Sequence, residues 1–411
     1  MRWLRLCLRW RRSLAVATLL ERVQKRLNPE KAKPLPAGLY SYVAPPTDPL
    51  NYRLHLRVEP GGEGLLILNA STVLHLNRTA TEFAYHVVKN TPEAEVEELV
   101  SQRYRVNKKR AAKDFFELKE RIHALLETPD LDPVTYLDFE RQRPYSTALG
   151  APYRLDCALT YAIPKGSSSP SAPHKRVDRE LDTEEWTEIL RKAWNAGIPQ
   201  ALFTGGEPTL REDLAELLQV AEDIGMVTGL ITDGFKMGDT AYLKTLLDAG
   251  LDHALIILQP DEKQTWESLA SFAYWKDVLA DDIFIAAHLT LTKKNASKAN
   301  ELIDRLGQSG ISALSLSEND ESLSEQLQSA RDHADFIDLP LIWDMPVPYS
   351  ALNPVALELD EARGSHPEGS GKAWLYVEPD GDVLPGQGIN KVLGNILKHD
   401  WEKIWGKAQN Y

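Results

Sequence analysis

Phe203-Thr204-Gly205-Gly206-Glu207-Pro208-Thr209-Leu210-Arg211 joins a short apolar run, 201–204, to a helical pattern over 212–225. Two glycines at a strand end let the backbone approach another group closely, and a proline just beyond favours a helical start. The same rhythm repeats on both sides. Strands are expected at 154–161, 201–204, 227–232, 254–258, 283–291 and 313–316, alternating with helices at 183–196, 212–225, 240–249, 265–279, 297–310 and 323–333. Strand–helix units in series call for a parallel sheet with crossover helices. The expected fold is α/β, a partial (β/α)6 TIM-like barrel over 151–340, with its site at the carboxyl ends of the strands.

Before the barrel the pattern changes. Residues 31–50 are proline-rich and are expected to be a linker, as are 128–150 with Pro129, Pro133 and Pro144. Between them, 51–127 alternates over 52–58, turns at Gly61-Gly62, gives two more strands at 65–68 and 72–76, and continues in helical stretches at 79–88, 92–104 and 108–126. Strands followed by helices in so short a span predict a winged-helix-like unit.

Residues 1–30 predict a basic amphipathic helix, with Trp3, Leu6, Trp10 and Leu14 at helical spacing and Arg2, Arg5, Arg9 and Arg12 in a polar stripe. Contact with an anionic membrane surface and packing on the body or a partner both fit this pattern. The apolar run 13–20 is far short of the about 20 residues a spanning helix needs. No small-residue cleavage pattern follows Arg11-Arg12, which argues against a signal peptide. Net charge is −13, although the first 40 residues carry ten Lys and Arg against two Asp and Glu. The acidic remainder would repel nucleic acid, so no nucleic-acid partner is expected. Cys7 and Cys157 are the two cysteines of the 411-residue chain. They offer no disulfide framework and no paired-cysteine zinc site, and they fit a reducing, cytoplasmic setting.

The glycine string, Thr232-Asp233-Gly234 in place of the more usual Thr-Asn-Gly, Ala249-Gly250-Leu251-Asp252 and Asn295 together resemble the radical S-adenosylmethionine (SAM) superfamily over roughly residues 150–340. The resemblance implies a SAM site at Gly205, Gly206, Glu207, Pro208, Thr232, Asp233 and Asn295, with Glu207 accepting the amino group of a zwitterion. It also implies a 4Fe-4S cluster bound by three cysteines after the first strand. Thiolates suit that role as soft anionic ligands. Aligning Leu159-Thr160-Tyr161 with the end of that strand puts the ligand positions at Ile163, Ser167 and Pro170, none of which replaces a thiolate. Starting from Cys157 leaves Tyr161 and Pro164 at the other two. Cys157 itself reads as a buried small hydrophobe.

Two further resemblances flank the barrel. The phrase 64–80, with the later Ala111-Ala112-Lys113-Asp114-Phe115 helix, is similar to the PqqD-like domains that recognise precursor peptides. This implies a peptide added along Ser71, Thr72, Val73, Leu74, His75 and Leu76 and resting on the last helix of the unit. An inert winged helix packed on its neighbour is the competing reading. The hairpin at 372–385, followed by Leu393-Gly394-Asn395-Ile396 and Trp401-Glu402-Lys403-Ile404-Trp405, resembles a small SPASM extension at 341–411. Its usual cysteine positions fall at Gly386 and near Glu368.

Other chemistry finds little support. His288, Glu207 and Asp233 are the only convergent candidates for another metal, with His253 at the opposite strand end, and no metal site is assigned. No nucleophile elbow, phosphate loop or zinc-protease helix is present, and no catalytic residue is assigned. The expectation is a cluster-free radical SAM homologue, a pseudoenzyme that binds a precursor peptide or partner enzyme in peptide modification or maturation. The alternative is a peptide-modifying enzyme or SAM-binding protein that uses a partner-supplied cluster or non-radical chemistry.

Overall fold

The computed structural model describes residues 35–45, 47–50, 52–70, 72–104, 106–128, 149–164, 177, 179–279, 283–342 and 369–411. The expected helix 1–30 and most of the linker 128–150 lie outside them, as do Ser71, Ser167, Pro170 and Glu368. The chain forms two compact units, 1–141 and 142–411.

In the first unit, strands β1 (Gly38–Val43), β2 (Arg53–Val58), β3 (Gly64–Leu68) and β4 (Thr72–Leu76) form an antiparallel sheet in that order. Strand β1 lies inside the stretch expected to be a linker. Its prolines fall outside the strand and its Gly-Leu-Tyr-Ser-Tyr-Val run pairs with β2 along its whole length. Helices α1 (Arg78–Val88), α2 (Glu93–Arg103) and α3 (Lys108–Glu127) follow. Asn77 starts α1 by accepting from the amides of Thr79 and Ala80, and Asn107 starts α3 by accepting from Arg110 N. Alternate strand residues, Leu54, Leu56, Leu66, Leu68, Leu74 and Leu76, pack with Phe83, Val96, Phe115 and Leu118 from the helices. This is the expected winged-helix-like arrangement with one more strand.

The second unit alternates β5 (Arg154–Thr160), α4 (Thr183–Asn195), β6 (Gln200–Gly205), α5 (Leu214–Ile224), β7 (Val227–Thr232), α6 (Thr240–Asp248), β8 (His253–Ile257), α7 (Lys263–Leu279), β9 (Phe284–Leu291), α8 (Ala299–Gln308), β10 (Ala313–Glu318) and α9 (Ser324–Phe336). Strands β5 to β10 pair in parallel with their sequence neighbours. This is the six-unit partial barrel the spacing predicts. Helix α4 opens with a capping box between Asp182 and Glu185, and α5 stops at Gly225 in a left-handed conformation.

The C-terminal hairpin is part of this sheet. Strand β11 (Trp374–Val377) pairs in parallel with β5, and β12 (Asp382–Leu384) and β13 (Gly394–Asn395) extend the edge before helix α10 (Trp401–Ala408). Nothing local in the sequence marks this long-range pairing. It brings Tyr376 beside Asp156 and Val377 beside Cys157.

Register sorts the inner face into layers. Arg154, Asp156, Gln200 and His253 lie at the amino ends, where Arg154 Nε pairs with Asp156 at 2.5 Å and Gln200 Nε2 lies 3.3 Å from His253 Nε2. Above them Leu202, Ile231, Leu255, Ile257, Ala286 and Ala313 form an apolar cluster. Two-residue alternation then places Thr204, Asp233, His288, Thr290, Ser315 and Ser317 toward the carboxyl ends of the same face. Leu155, Cys157, Leu159, Phe203 and Leu230 alternate with these and are buried on the helix side.

Candidate functional site

The glycine pair ends β6 against the chain leaving β5. Gly206 N donates to Thr160 O at 2.7 Å and Glu207 N to Ala162 O at 2.8 Å. A Cβ at Gly205 would lie 2.2 Å from Thr160 O, and one at Gly206 would lie 2.1 Å from Ala162 O. Gly205 also has φ +121°, in the region that favours glycine. The chain's own backbone therefore requires both glycines, and the two amides are already engaged.

Glu207 is buried and its carboxylate holds four donors. Oε1 accepts from Thr209 N at 3.0 Å, Thr209 Oγ1 at 2.6 Å and Thr232 Oγ1 at 2.8 Å, and Oε2 accepts from Asp233 N at 2.7 Å. Three of these donors crowd Oε1 and one meets Oε2, so Oε2 keeps a lone-pair direction open. The sequence suggests Glu207 as a receiver of a ligand's amino group, and the geometry also makes it a staple between the ends of β6 and β7. Pro208 begins a single 3-10 turn through Leu210. Asn295 is also internal, bonding Thr292 N at 2.8 Å and Thr290 O at 3.0 Å beyond β9.

Asp233 stands apart. One oxygen accepts from Phe235 N at 2.9 Å. Burial first, and then the Glu207 charge, push its carboxyl up to about 8. Nearby, Lys236 Nζ is engaged with Thr209 O at 2.6 Å. Thr204 Oγ1 and Tyr242 Oη are buried without a hydrogen-bond partner. Burial, with the Glu207 charge, pushes the Tyr242 hydroxyl up to about 12.

The strand end where iron ligands would begin is held by side chains that motif reading does not reveal. Glu180 Oε1 accepts from Thr160 Oγ1 at 2.7 Å and Tyr161 N at 2.9 Å. Arg211 Nη1 donates to Leu159 O at 3.1 Å and Leu181 O at 3.0 Å while Nη2 pairs with Asp213 at 2.6 Å. Tyr161 Oη donates to Glu378 at 3.0 Å. Glu180, Arg211 and Glu378 lie 19 to 217 residues from the strand-end groups they hold.

A 4Fe-4S cluster does not fit the described side chains. Cys157 is fully buried on the helix-facing side of β5, its Sγ lies 3.8 Å from Leu155 O, and burial and Asp156 push its thiol well up. Ile163 offers no donor atom. Gly386 lies against Ser370, whose Oγ would be 3.1 Å from a Cβ placed there, and neither supplies a thiolate. Among the described residues no group of three His, Cys, Asp or Glu side chains converges on a metal-sized site. His288 bonds Ser315 Oγ at 2.9 Å through Nδ1, and Thr290 Oγ1 and Ser317 Oγ at 3.1 Å through Nε2; burial lowers it to about 4. None of the described helices is long and apolar enough to cross a membrane.

Comparison with known proteins agrees with this architecture. Residues 160–279 match the family described as the radical SAM superfamily. A stretch of 135 residues is 35% identical to the PqqA peptide cyclase of Bradyrhizobium diazoefficiens, covering 32% of this chain and 35% of that one. The match thus spans about a third of that relative's length. SuiB of Streptococcus suis bound to its precursor peptide SuiA superposes with a TM-score of 0.53 at 16% identity, covering 89% of this chain and 88% of SuiB. SuiB bound to S-adenosylmethionine gives a TM-score of 0.52 at 15% identity, with the same coverage. These structural likenesses show the fold. Residues 160–279, from the end of β5 through α7, are a radical SAM domain.

Proposed function

We propose that this chain is a cluster-free radical SAM homologue that binds a precursor peptide or a partner enzyme in peptide modification. The observation that carries the reading is the replacement of the iron-ligand loop: Ile163, Ser167 and Pro170 stand at the expected positions, and the only cysteine of the barrel faces the helices. A radical requires an electron delivered to the SAM sulfonium, and these residues hold no cluster to deliver it.

The first unit supports the peptide half of the reading. Strand β4 ends its sheet, pairing with β3 and with no other described strand. An extended peptide can hydrogen-bond to such an edge and place alternate side chains in register. Residues Thr72 to Leu76 form that edge, while Ser71 lies outside the described residues. Phe116 on α3 is 54% exposed and offers an apolar contact on the helix assigned to the peptide. The PqqD-like and SPASM-like labels for the flanking segments belong to the same reading. Calorimetric titration of the full chain with small peptides encoded beside its gene tests it: one should bind, and silence from every candidate sinks the idea.

A second reading keeps SAM in the barrel without a radical. The buried, unpartnered Thr204 hydroxyl and the Asp233 carboxyl favour it, because they are polar groups on the inner face at the strand ends. Bound SAM would supply a methyl group and charged sulfonium. The chain's residues would orient it by hydrogen bonding, with Gly206 N, Glu207 N and the Glu207 carboxylate already engaged. Equilibrium dialysis with radiolabelled SAM tests this reading, and no retained label contradicts it.

A further inference from the structure

Helix α10 and the segment leading into β13 enclose a cavity of about 550 Å3. One wall is a single face of the helix, on which Lys403, Gly406 and Lys407 recur at three- and four-residue spacing. The other is Lys391-Val392-Leu393. Leu393 and Ile404 are buried and Val392 is half exposed, so an apolar strip accompanies the lysines. Hydrogen bonds tie the walls to each other and to the barrel. Lys407 Nζ donates to Leu393 O at 2.7 Å, and Lys192 Nζ, from α4, donates to Ile396 O at 2.5 Å and His399 O at 2.7 Å. Asn395 N donates to His399 Nδ1 at 2.9 Å, which leaves the ring proton of His399 on Nε2.

Two features of this cavity have no cause in the chain's own packing. The first is charge. In a chain of net charge −13, Lys391, Lys403 and Lys407 line the cavity against one acid, Glu402. Lys391 Nζ lies 4.7 Å from the centre of the Tyr411 ring and Lys407 bonds a carbonyl, and neither has a carboxylate partner among the described residues. Lys403 pairs with Asp400 at 3.0 Å, but both are largely exposed, where such a pair contributes little. The second is Gly406. Glycine inside a helix is unfavourable, because it loses more backbone freedom than any other residue. A Cβ at 406 would meet nothing within 4 Å, so no neighbour requires a glycine there. Its missing side chain leaves the helix wall of the cavity unobstructed.

We propose that this cavity binds a small apolar carboxylate, an aliphatic or aromatic body that carries one anionic group. The body lies on Val392, Leu393, Ile404 and the backbone of Gly406. The carboxylate sits among the lysines, which offer charge-assisted hydrogen bonds. The volume suits one small organic molecule. Peptide addition as a strand is disfavoured, because β13, which ends the sheet here, is two residues long. The site is independent of the peptide and SAM readings.

Equilibrium dialysis of the full chain against radiolabelled octanoate tests the site. Saturable binding is expected, displaced by unlabelled octanoate. Octanol, which has the body without the charge, should not displace it, nor should acetate, which has the charge without the body. Gly406→Leu puts a side chain into the cavity and should abolish binding, with a melting temperature at or above that of the wild type. Lys391 is exposed, so Lys391→Met keeps the fold and the aliphatic stem while removing the ammonium; it should weaken binding roughly tenfold.

No saturable octanoate, equal displacement by octanol, or unchanged affinity in either folded variant overturns the proposal. The peptide acetyl-Leu-Glu-Leu-amide offers the same chemistry from a second source. Displacement of octanoate by this peptide at a lower concentration than by unlabelled octanoate contradicts the assignment to a small molecule.

Discussion

Asp233 donates its backbone N–H to Glu207 Oε2 at 2.7 Å, so the carboxylate that follows the glycine pair of β6 fastens the end of β7. Thr232 Oγ1 and both donors of Thr209 complete the same knot. Replacing Glu207 with alanine leaves these buried donors unsatisfied. The expected loss is about 2–4 kcal/mol in denaturant unfolding, since bonds to a charged group exceed neutral ones. A loss below about 0.5 kcal/mol would mean that Glu207 is not a staple.

Gly206→Ala puts a Cβ 2.1 Å from Ala162 O, a backbone atom that cannot swing aside. A destabilisation of about 3 kcal/mol or more is expected. Gly61→Ala is the control, because a Cβ there meets nothing within 4 Å; its effect should lie within about 0.5 kcal/mol. Melting curves of the two variants decide whether the glycine requirement comes from the chain's own packing.

The glycine string shows why motif and role part company. Its position after the second barrel strand, and the six strand–helix units, are legible because apolar periodicity is local. Its role is not, because the carbonyls that fill it, Thr160 O and Ala162 O, come from another strand and the segment just beyond it. The same limit hid β11: Trp374-Leu375-Tyr376-Val377 reads as a hairpin arm, but only the fold shows it pairing with β5. Strand β1 was obscured by the prolines around it. Cys157, by contrast, reads as buried from its apolar run and is buried in the fold, since a lone cysteine there has few other fates.

His288 and Asp233 should oppose each other in the dependence of stability on pH, overlapping at acid pH and leaving Asp233 alone above about 6.5. His288 is held neutral with its value lowered to about 4. The unfolded chain therefore binds the extra proton first, and this stability, present above about 6.5, is lost as pH falls toward about 4. Asp233 is raised to about 8, so its native state holds a proton that the unfolded chain lacks. That contribution is fully present below about 4 and lost as pH rises through about 8. Asp233→Asn should abolish the fall in stability between about pH 6.5 and 8 and, because the two effects overlap below that, steepen the rise between about pH 4 and 6.5, as read by melting temperature. An unaltered alkaline fall would remove Asp233 as its source.

Cys157 should be silent as a thiol. In a Cys7→Ser variant, Ellman's reagent at pH 8 should find no reactive sulfhydryl in the native protein, because the residue is fully buried and its thiol pushed well up. Denaturant should expose one. Rapid native labelling would place Cys157 where a metal or partner could reach it.

The proposed absence of an iron–sulfur cluster from this radical SAM domain is open to direct measurement. Anaerobic reconstitution of the full chain with iron and sulfide, followed by desalting, metal analysis and an absorption spectrum, tests it most directly. No stoichiometric iron and no broad thiolate-to-iron charge-transfer band are expected. A desalted protein that retains a stoichiometric four-iron cluster with that band would contradict it.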